Sequence, residues 1–484
     1  MNRIRLSLSC RTLLLFAIAS LVTLLLIVTA CDSSTSPKTG TLSGRVVLVN
    51  DTNNATFDTD DYSGIQISLY GLAEVDSVQM RIANQYSHIG VSLDQNIIFK
   101  HEGHNPIYET TTSEDGTFVF KDLNQGRYNL VIEKDDWGTV YRYNVDVSEG
   151  DNSITKYETS TINMFPANRL GESIDNSFTF KEDHEYFIEG NAVFWSEVQF
   201  EGNSYVRMSP NASISLMSSV LCPDNAKYTV FCSLNESNQE VTRWNSIKIY
   251  ESNVTLSNFV LRYGNNGLEF MTDNCRVENS IFEDLTTAIY SPGKNTGVVN
   301  CTFYKITDRC LNINQAQESD EYMYLLHNNV FYKVFIGVRT QGRRVSIKHN
   351  YFVECDNSII SFTGDHTIEN NSFDRNTVGI LCNGTQIEIE HNNFFENDTS
   401  ILFSRAYYST PSNPNINENN FFQLSGYAIK LDAWTTSGNV DAENNYWNSQ
   451  NIDALIYDKH DLPALENEVI YIPIENNVFP NAGA

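Results

Sequence analysis

Three groups of side chains in this 484-residue chain have the chemistry to hold a ligand or act on one. Arg339, Arg343, Arg344 and Arg405 could grip carboxylates or sulfates bidentately, and Tyr407, Tyr408 and Trp434 offer rings that stack on the apolar faces of sugars. Asp365 beside His366 could serve as an acid/base pair, and Lys430 is the kind of base that proton abstraction next to a carboxylate needs. Asp58, Asp60 and Asp61, near Asp51, could bind Ca2+ loosely. That run lacks the Gly and Glu of an EF-hand, so a solvated insertion is the alternative reading, and no other cofactor is implied.

Most of these residues sit within a repeat. Asn-x-x-aromatic anchors recur at Asn279 to Phe282, Asn300 to Phe303, Asn328 to Phe331, Asn370 to Phe373, Asn392 to Phe395, Asn419 to Phe422 and Asn444 to Trp447, with Asn350 in a shifted copy. The shortest interval is 21 residues, and each repeat holds alternating strand-like runs between polar corners. Three short strands in about 22 residues make one coil of a right-handed parallel β-helix, which the pattern places at residues 171–478. Stacked amides at Asn279, Asn300, Asn328, Asn350, Asn370, Asn392, Asn419 and Asn444 would form a structural ladder. Leu268, Ile289, Leu311, Ile336, Ile359, Ile380, Ile401 and Ile429 are expected to point inward, leaving a mixed outward row from Glu269 through Gly337 to Lys430. Ile452 to Tyr457 is expected to form a short capping helix. The large insertions, Gln315 to Glu321, Ser404 to Asn413 and Asp432 to Gly438, all fall after the same strand, and loops gathered on one edge of a solenoid commonly build its binding face.

Trp244-Asn245-Ser246-Ile247-Lys248-Ile249 resembles the W-x-x-I-x-I rung of bacterial β-helix proteins, and about 300 residues resemble the pectate-lyase-like superfamily. That resemblance implies the fold and leaves activity open, because lyases, hydrolases, epimerases, tailspikes and adhesins share it. The Asn-Thr-Asp, Asp-Asp, Gly-His-Gly and Arg-Ile-Lys set of polygalacturonases is absent, as is the Asp-Pro-His-Glu motif of alginate epimerases; Asp60-Asp61 and Asp135-Asp136 lie outside the solenoid.

Residues 41–157 alternate with period two and read as a β-sandwich, so the fold class is all-β with two modules. Asp115-Gly116-Thr117-Phe118, then Gly126-Arg127-Tyr128 and Leu130, resemble the carboxypeptidase regulatory-like (transthyretin-like) sandwich, interrupted by a long insertion between Leu72 and Glu109. Such modules are spacers or adhesion units, and the resemblance implies no chemistry.

Arg3, Arg5 and Arg11 precede an apolar run from Leu13 to Ala30, and Val28-Thr29-Ala30-Cys31 resembles a bacterial lipobox. It implies a signal peptide over residues 1–30, a lipidated Cys31 and a tether over 31–40, with a plain signal peptide as the alternative. The expected location is outside the cytoplasm, anchored by lipid to a bacterial membrane, at the outer membrane or cell surface. The net charge of −28 repels phosphate backbones and argues against nucleic acid as a partner. Seven cysteines remain beyond Cys31; most read as buried apolar residues, with Cys222 and Cys232 the best candidates for a bridge. The sequence therefore points to an envelope lipoprotein whose β-helix edge binds polysaccharide or another envelope component without catalysis. A polysaccharide lyase or glycoside hydrolase, and an adhesive protein without glycan affinity, are the two alternatives.

Overall fold

The period-two segments before residue 165 pair into two sheets, one mixed and one antiparallel, because each has one apolar face to bury. The structure, a computed structural model, describes residues 39–51, 60–154, 161–222, 227–236, 242–313, 324–341, 344–362, 366–383, 387–404, 414–423, 425–432 and 438–484. The sandwich comprises β1 (Thr39–Leu48), β2 (Gln66–Tyr70), α1 (Ser77–Gln85), α2 (Gln95–Ile98), β3 (Tyr108–Thr111), β4 (Thr117–Asn124), β5 (Gly126–Glu133), β6 (Val140–Val147), β7 (Gly150–Ser153) and β8 (Ile162–Met164). One sheet runs β4-β1-β7 with β8 also on β1, and the other runs β3-β2-β5-β6. Phe118 and Tyr128 are buried in the core between them. The β3–β4 turn needs Gly116, at φ +81°, while the Asp115 carboxylate accepts from Ser113 and Thr117, which hold its pKa down at about 2.

From Asn168 the chain coils through three parallel sheets. Sheet A has 13 strands, from Asn168–Leu170 to Tyr446–Trp447, and sheet B has 13, from Ser173–Ile174 to Ile456–Tyr457. The third side is a 3-stranded sheet beginning at Phe178–Phe180, followed by the 10-stranded sheet C, from Thr255–Ser257 to Val469–Ile470. Each strand pairs with its equivalent one coil away, so like residues stack. Phe282, Phe303, Phe331, Phe352, Phe373, Phe394, Phe421 and Trp447 form one interior column with ring centroids 4.5–5.1 Å apart. Expected anchors Phe395 and Phe422 instead stack on the outer face of sheet A.

The asparagine ladder is corrected in register. Its buried members are Asn329, Asn350, Asn371, Asn392, Asn419 and Asn445, the first five each donating the side-chain amide to the next member's Oδ1 at 2.9–3.1 Å. Asn279, Asn300, Asn328, Asn370 and Asn444 occupy the neighbouring corner column, where φ is +50° to +58°. Asn takes that left-handed turn at low cost, whereas the residue after it points inward and satisfies buried backbone groups. The capping helix reduces to a single 3-10 turn, Asp453–Leu455, followed by the last strand of sheet B.

The insertion at 71–107 clamps the sandwich onto the outer face of sheet A. Tyr86 stacks on Tyr351 at 4.1 Å, Arg81 meets Asp374 at 2.6 Å, and Lys100 reaches Glu283 at 2.7 Å. Glu102 pairs with Arg207 at 2.7 Å, and Arg207 also holds Glu185. Gly90 passes so close that a Cβ there would sit 2.7 Å from Thr302 Oγ1. Further along, the C-terminal segment lies back across the same face: Phe479 exchanges hydrogen bonds with the Asn420 amide, and Asn393 donates to Ala482.

Cys222 and Cys232 are free thiols, as are Cys275, Cys301, Cys310, Cys355 and Cys382, so the structure forms no bridge between the first two. Burial pushes Cys222 and Cys275 up to about 11 and Cys301 to about 12. Alkylation of the native protein with iodoacetamide at pH 7.5 is accordingly expected to spare all but the half-buried Cys222; mass spectrometry reads the modified sites, and labelling of Cys301 or Cys382 would contradict the packing.

Candidate functional site

Of the three sides of the β-helix, sheet A carries the insertion and the C-terminal segment, which leaves sheets B and C facing solvent. Sheet C balances its charges within itself, with Arg276 on Glu278 at 2.9 Å and Lys348 on Glu369 at 2.5 Å. Sheet B differs. Successive strands pair in one register through Ser215, Lys248, Glu269, Tyr290, Asn312, Arg339, Ile360, Leu381, Leu402, Lys430 and Tyr457, which face outward. The expected row is thus corrected at one coil: Val338 points inward and Arg339 outward, where Ile336 and Gly337 were expected.

Two of the three cations in this row, Arg339 and Lys430, rest on rings. The Arg339 guanidinium lies 4.8 Å from the centre of Phe362 and donates to Asn312 Oδ1 at 3.2 Å. Lys430 sits between Tyr427 and Tyr457, 5.5 Å from each. Four coils separate the two cations, about 19 Å at the usual strand spacing. Between them lie Ile360, Leu381 and Leu402. Glu269 is tied to Asn266 at 2.9 Å and to Lys248 at 3.8 Å.

Beside this row runs a second column that sequence reading missed. The residue after each of four successive sheet B strands turns outward at the corner: Trp195, Met217, Tyr250 and Met271, each donating its backbone N–H to the preceding coil at 3.0 Å. Trp195 is 54% exposed, Tyr250 43% and Met271 41%. Such a run of unburied rings and thioethers is unusual beside a core this well closed, and isolated exposed apolar residues need no explanation whereas a contiguous strip does. The available signal was the doublet of a core residue followed by a large apolar one, Phe194-Trp195, Leu216-Met217, Ile249-Tyr250 and Phe270-Met271.

The remaining candidates separate. Arg344 lies at the corner between sheets B and C, on the edge where Arg339's strand ends. Arg343, Arg405, Tyr407, Tyr408, Trp434 and Asp365 lie outside the described residues, as do Cys31 and Asp58. The acid/base expectation for His366 is corrected: its side chain is buried in the sheet C strand His366–Glu369, with Nδ1 accepting from the Val345 N–H at 3.3 Å, because its position falls on the inward side of the strand. Asp61 caps the Ser63 N–H at 2.8 Å, and among the described residues no group of three or more His, Cys, Asp or Glu is arranged to hold a metal ion.

Comparison with known families agrees with this architecture. The model for right-handed β-helix regions matches residues 287–447, and that for the β-sandwich domain of ER membrane protein complex subunit 7 matches residues 75–198. The chain is a β-sandwich joined to a right-handed β-helix. The sandwich match begins just before α1 and ends in the first coils, so it spans the clamped junction. Neither a curated protein nor a solved structure matches the chain.

Proposed function

We propose that this is a cell-envelope lipoprotein, anchored through Cys31 outside the cytoplasm, whose β-helix binds an extended polysaccharide along the outer side of sheet B. The carboxypeptidase regulatory-like sandwich serves as its spacer. One observation carries the reading: the outward column Trp195, Met217, Tyr250 and Met271 lies beside Ser215, Lys248 and Glu269, and that same row continues through Tyr290, Asn312, Arg339 and Lys430 in the later coils. Two exposed rings alternating with two methionines at ~4.8 Å per coil offer repeated apolar platforms to a repeating chain, and the polar row that continues along the sheet offers donors to hydroxyls and carboxylates. The amide, guanidinium, ammonium and phenol groups of that row are suited to holding a glycan. Strands Arg309–Ile313, Thr399–Phe403 and Tyr427–Leu431 of this sheet are each followed in sequence by a long segment, and Arg405, Tyr407, Tyr408 and Trp434 in those segments have side-chain chemistry suited to the same ligand.

The test is affinity electrophoresis through gels containing neutral or acidic polysaccharides. Wild-type protein is expected to be retarded by at least one of them, and Trp195→Ala/Tyr250→Ala to lose at least tenfold in apparent affinity with an unchanged thermal midpoint, since both rings are exposed. Equal retardation of the two proteins would place the glycan elsewhere, and no retardation in any gel would refute polysaccharide binding.

A further inference from the structure

A cleft of about 930 Å3 opens where the insertion, strand β6, the segment after residue 160 and the first coils of the β-helix converge. It is within the size range of small-molecule sites and is separate from sheet B's outer row. Most polar residues at its margin are already engaged: Lys227 with Glu182, and Asn203 with Asp183. Four are not. Among the described residues, the side chains of Asp94, Asn96, Asn144 and Asn163, which line the cleft, find no hydrogen-bond or ion-pair partner.

Their chemistry selects a ligand class. Each amide both donates and accepts, as a sugar hydroxyl does, and a carboxylate accepts from two neighbouring hydroxyls. The unengaged groups are three amides and one carboxylate, and the cations that also line the cleft are already held, Lys227 by Glu182 and Arg142 by the Tyr141 carbonyl, which favours a neutral polyol over a phosphate, a sulfate or an acidic sugar. Asp94 also lies where this cleft adjoins two smaller cavities of about 390 and 440 Å3, and its desolvation there raises its pKa above the ordinary value.

The cleft is shaped before a ligand arrives. Tyr141 and Tyr143 are parallel within 2° at 6.0 Å, and Tyr141 stacks on Tyr205 of the β-helix at 4.8 Å. Tyr143 and Tyr205 share a hydroxyl hydrogen bond of 2.6 Å, and Arg207 donates to the Tyr141 hydroxyl at 2.8 Å. These contacts join sandwich to solenoid directly beneath the cleft, so little ordering remains to be done on binding. Asn144 holds φ +54° inside β6, a left-handed angle that Asn takes at low cost, with its N–H on Asn129 Oδ1 at 3.2 Å.

We propose that the junction cleft is a second saccharide site, taking a short neutral oligosaccharide or glycan terminus independently of the sheet B column. A printed array of neutral mono- to tetrasaccharides built from glucose, mannose, galactose and N-acetylglucosamine tests this with the full chain in detergent. Wild-type protein is expected to retain a subset of them. Asn96→Ala/Asn163→Ala, which changes two exposed side chains, is expected to bind that subset at least tenfold more weakly at unchanged thermal midpoint, while Trp195→Ala/Tyr250→Ala binds it as wild type does. Retention of no short neutral oligosaccharide, equal binding by the cleft variant, or equal loss in both variants would overturn the proposal.

Discussion

Replacing Arg262 by methionine is expected to lower the stability of the protein by about 3–5 kcal/mol, because it strands a charge inside the junction. Arg262 lies on the outer face of sheet A, yet its side chain is 2% exposed and that of its partner Glu236 1%, since the insertion covers both. The guanidinium donates to Glu236 Oε2 at 2.9 Å and to the Ile97 carbonyl at 2.9 Å, so it fastens α2 to the β-helix as well as balancing the acid. Arg262→Met/Glu236→Leu is expected to regain most of the loss, since removing both charges also removes their desolvation cost. Chemical denaturation measures both variants, and limited proteolysis within residues 86–94 reports release of the clamp. A loss below about 1 kcal/mol for the single variant would show that the insertion is not held this way.

The same junction has a pH signature. Burial pushes the Glu283 pKa up, but Lys100 and Arg262 more than reverse this and leave it below its ordinary value. Burial likewise opposes, and Arg207 and His101 outweigh it, at Glu102. A depressed carboxyl contributes stability that is present above its unfolded value of about 4.5 and lost as pH falls through the folded one. Glu236 is raised by burial and acts with the opposite sign, gaining as it protonates. The thermal midpoint of Glu283→Gln is therefore expected to fall less steeply than wild type between about pH 5 and 3; calorimetry at stepped pH reads this, and parallel curves would remove Glu283 from the network.

Asn371→Leu is the second large effect, about 3–5 kcal/mol, while Asn279→Ala costs about 1 kcal/mol. Asn371 is fully buried and donates to Ile347 O at 2.8 Å, Glu369 O at 3.1 Å and Asn392 Oδ1 at 3.1 Å. Its own oxygen accepts from the Asn350 N–H at 3.0 Å and amide at 2.9 Å. Leucine fills the space and leaves several of these groups unpaired away from water, each costing about 1–3 kcal/mol before relaxation. Asn279 supplies mainly a left-handed corner and one amide bond from Asn300. Equal denaturation midpoints for the two variants would contradict the register of the ladder.

The repeat is legible in sequence because an inward aromatic in each coil is a local pattern that recurs with little drift. Register fails where the chain offers the same residue type twice. At Asn392-Asn393-Phe394-Phe395 either Asn and either Phe satisfies the spacing, and only the pairing of Phe394 with Phe373 and Phe421 separates them. At Ile336-Gly337-Val338-Arg339 two apolar residues compete for one inward position. The clamp has no local signal, since Arg81 finds Asp374 from 293 residues away. The exposed column escapes notice because its members are spaced 22, 33 and 21 residues apart and differ in type, and only the coil brings them together. Arginine and tyrosine in the long corner segments announce themselves by composition, whereas Trp195 and Tyr250 read as core until the strand ends are placed.

Oxidative footprinting tests the polysaccharide surface most directly, because Trp, Tyr and Met are the side chains it reports. With the polysaccharide that retards the protein added at saturation, Trp195, Met217, Tyr250 and Met271 are expected to become protected together. Met80, 50% exposed on the insertion, serves as the reference and is expected to oxidise at its free rate. Unchanged oxidation of the four residues, or protection no greater than that of Met80, would contradict a glycan track along sheet B.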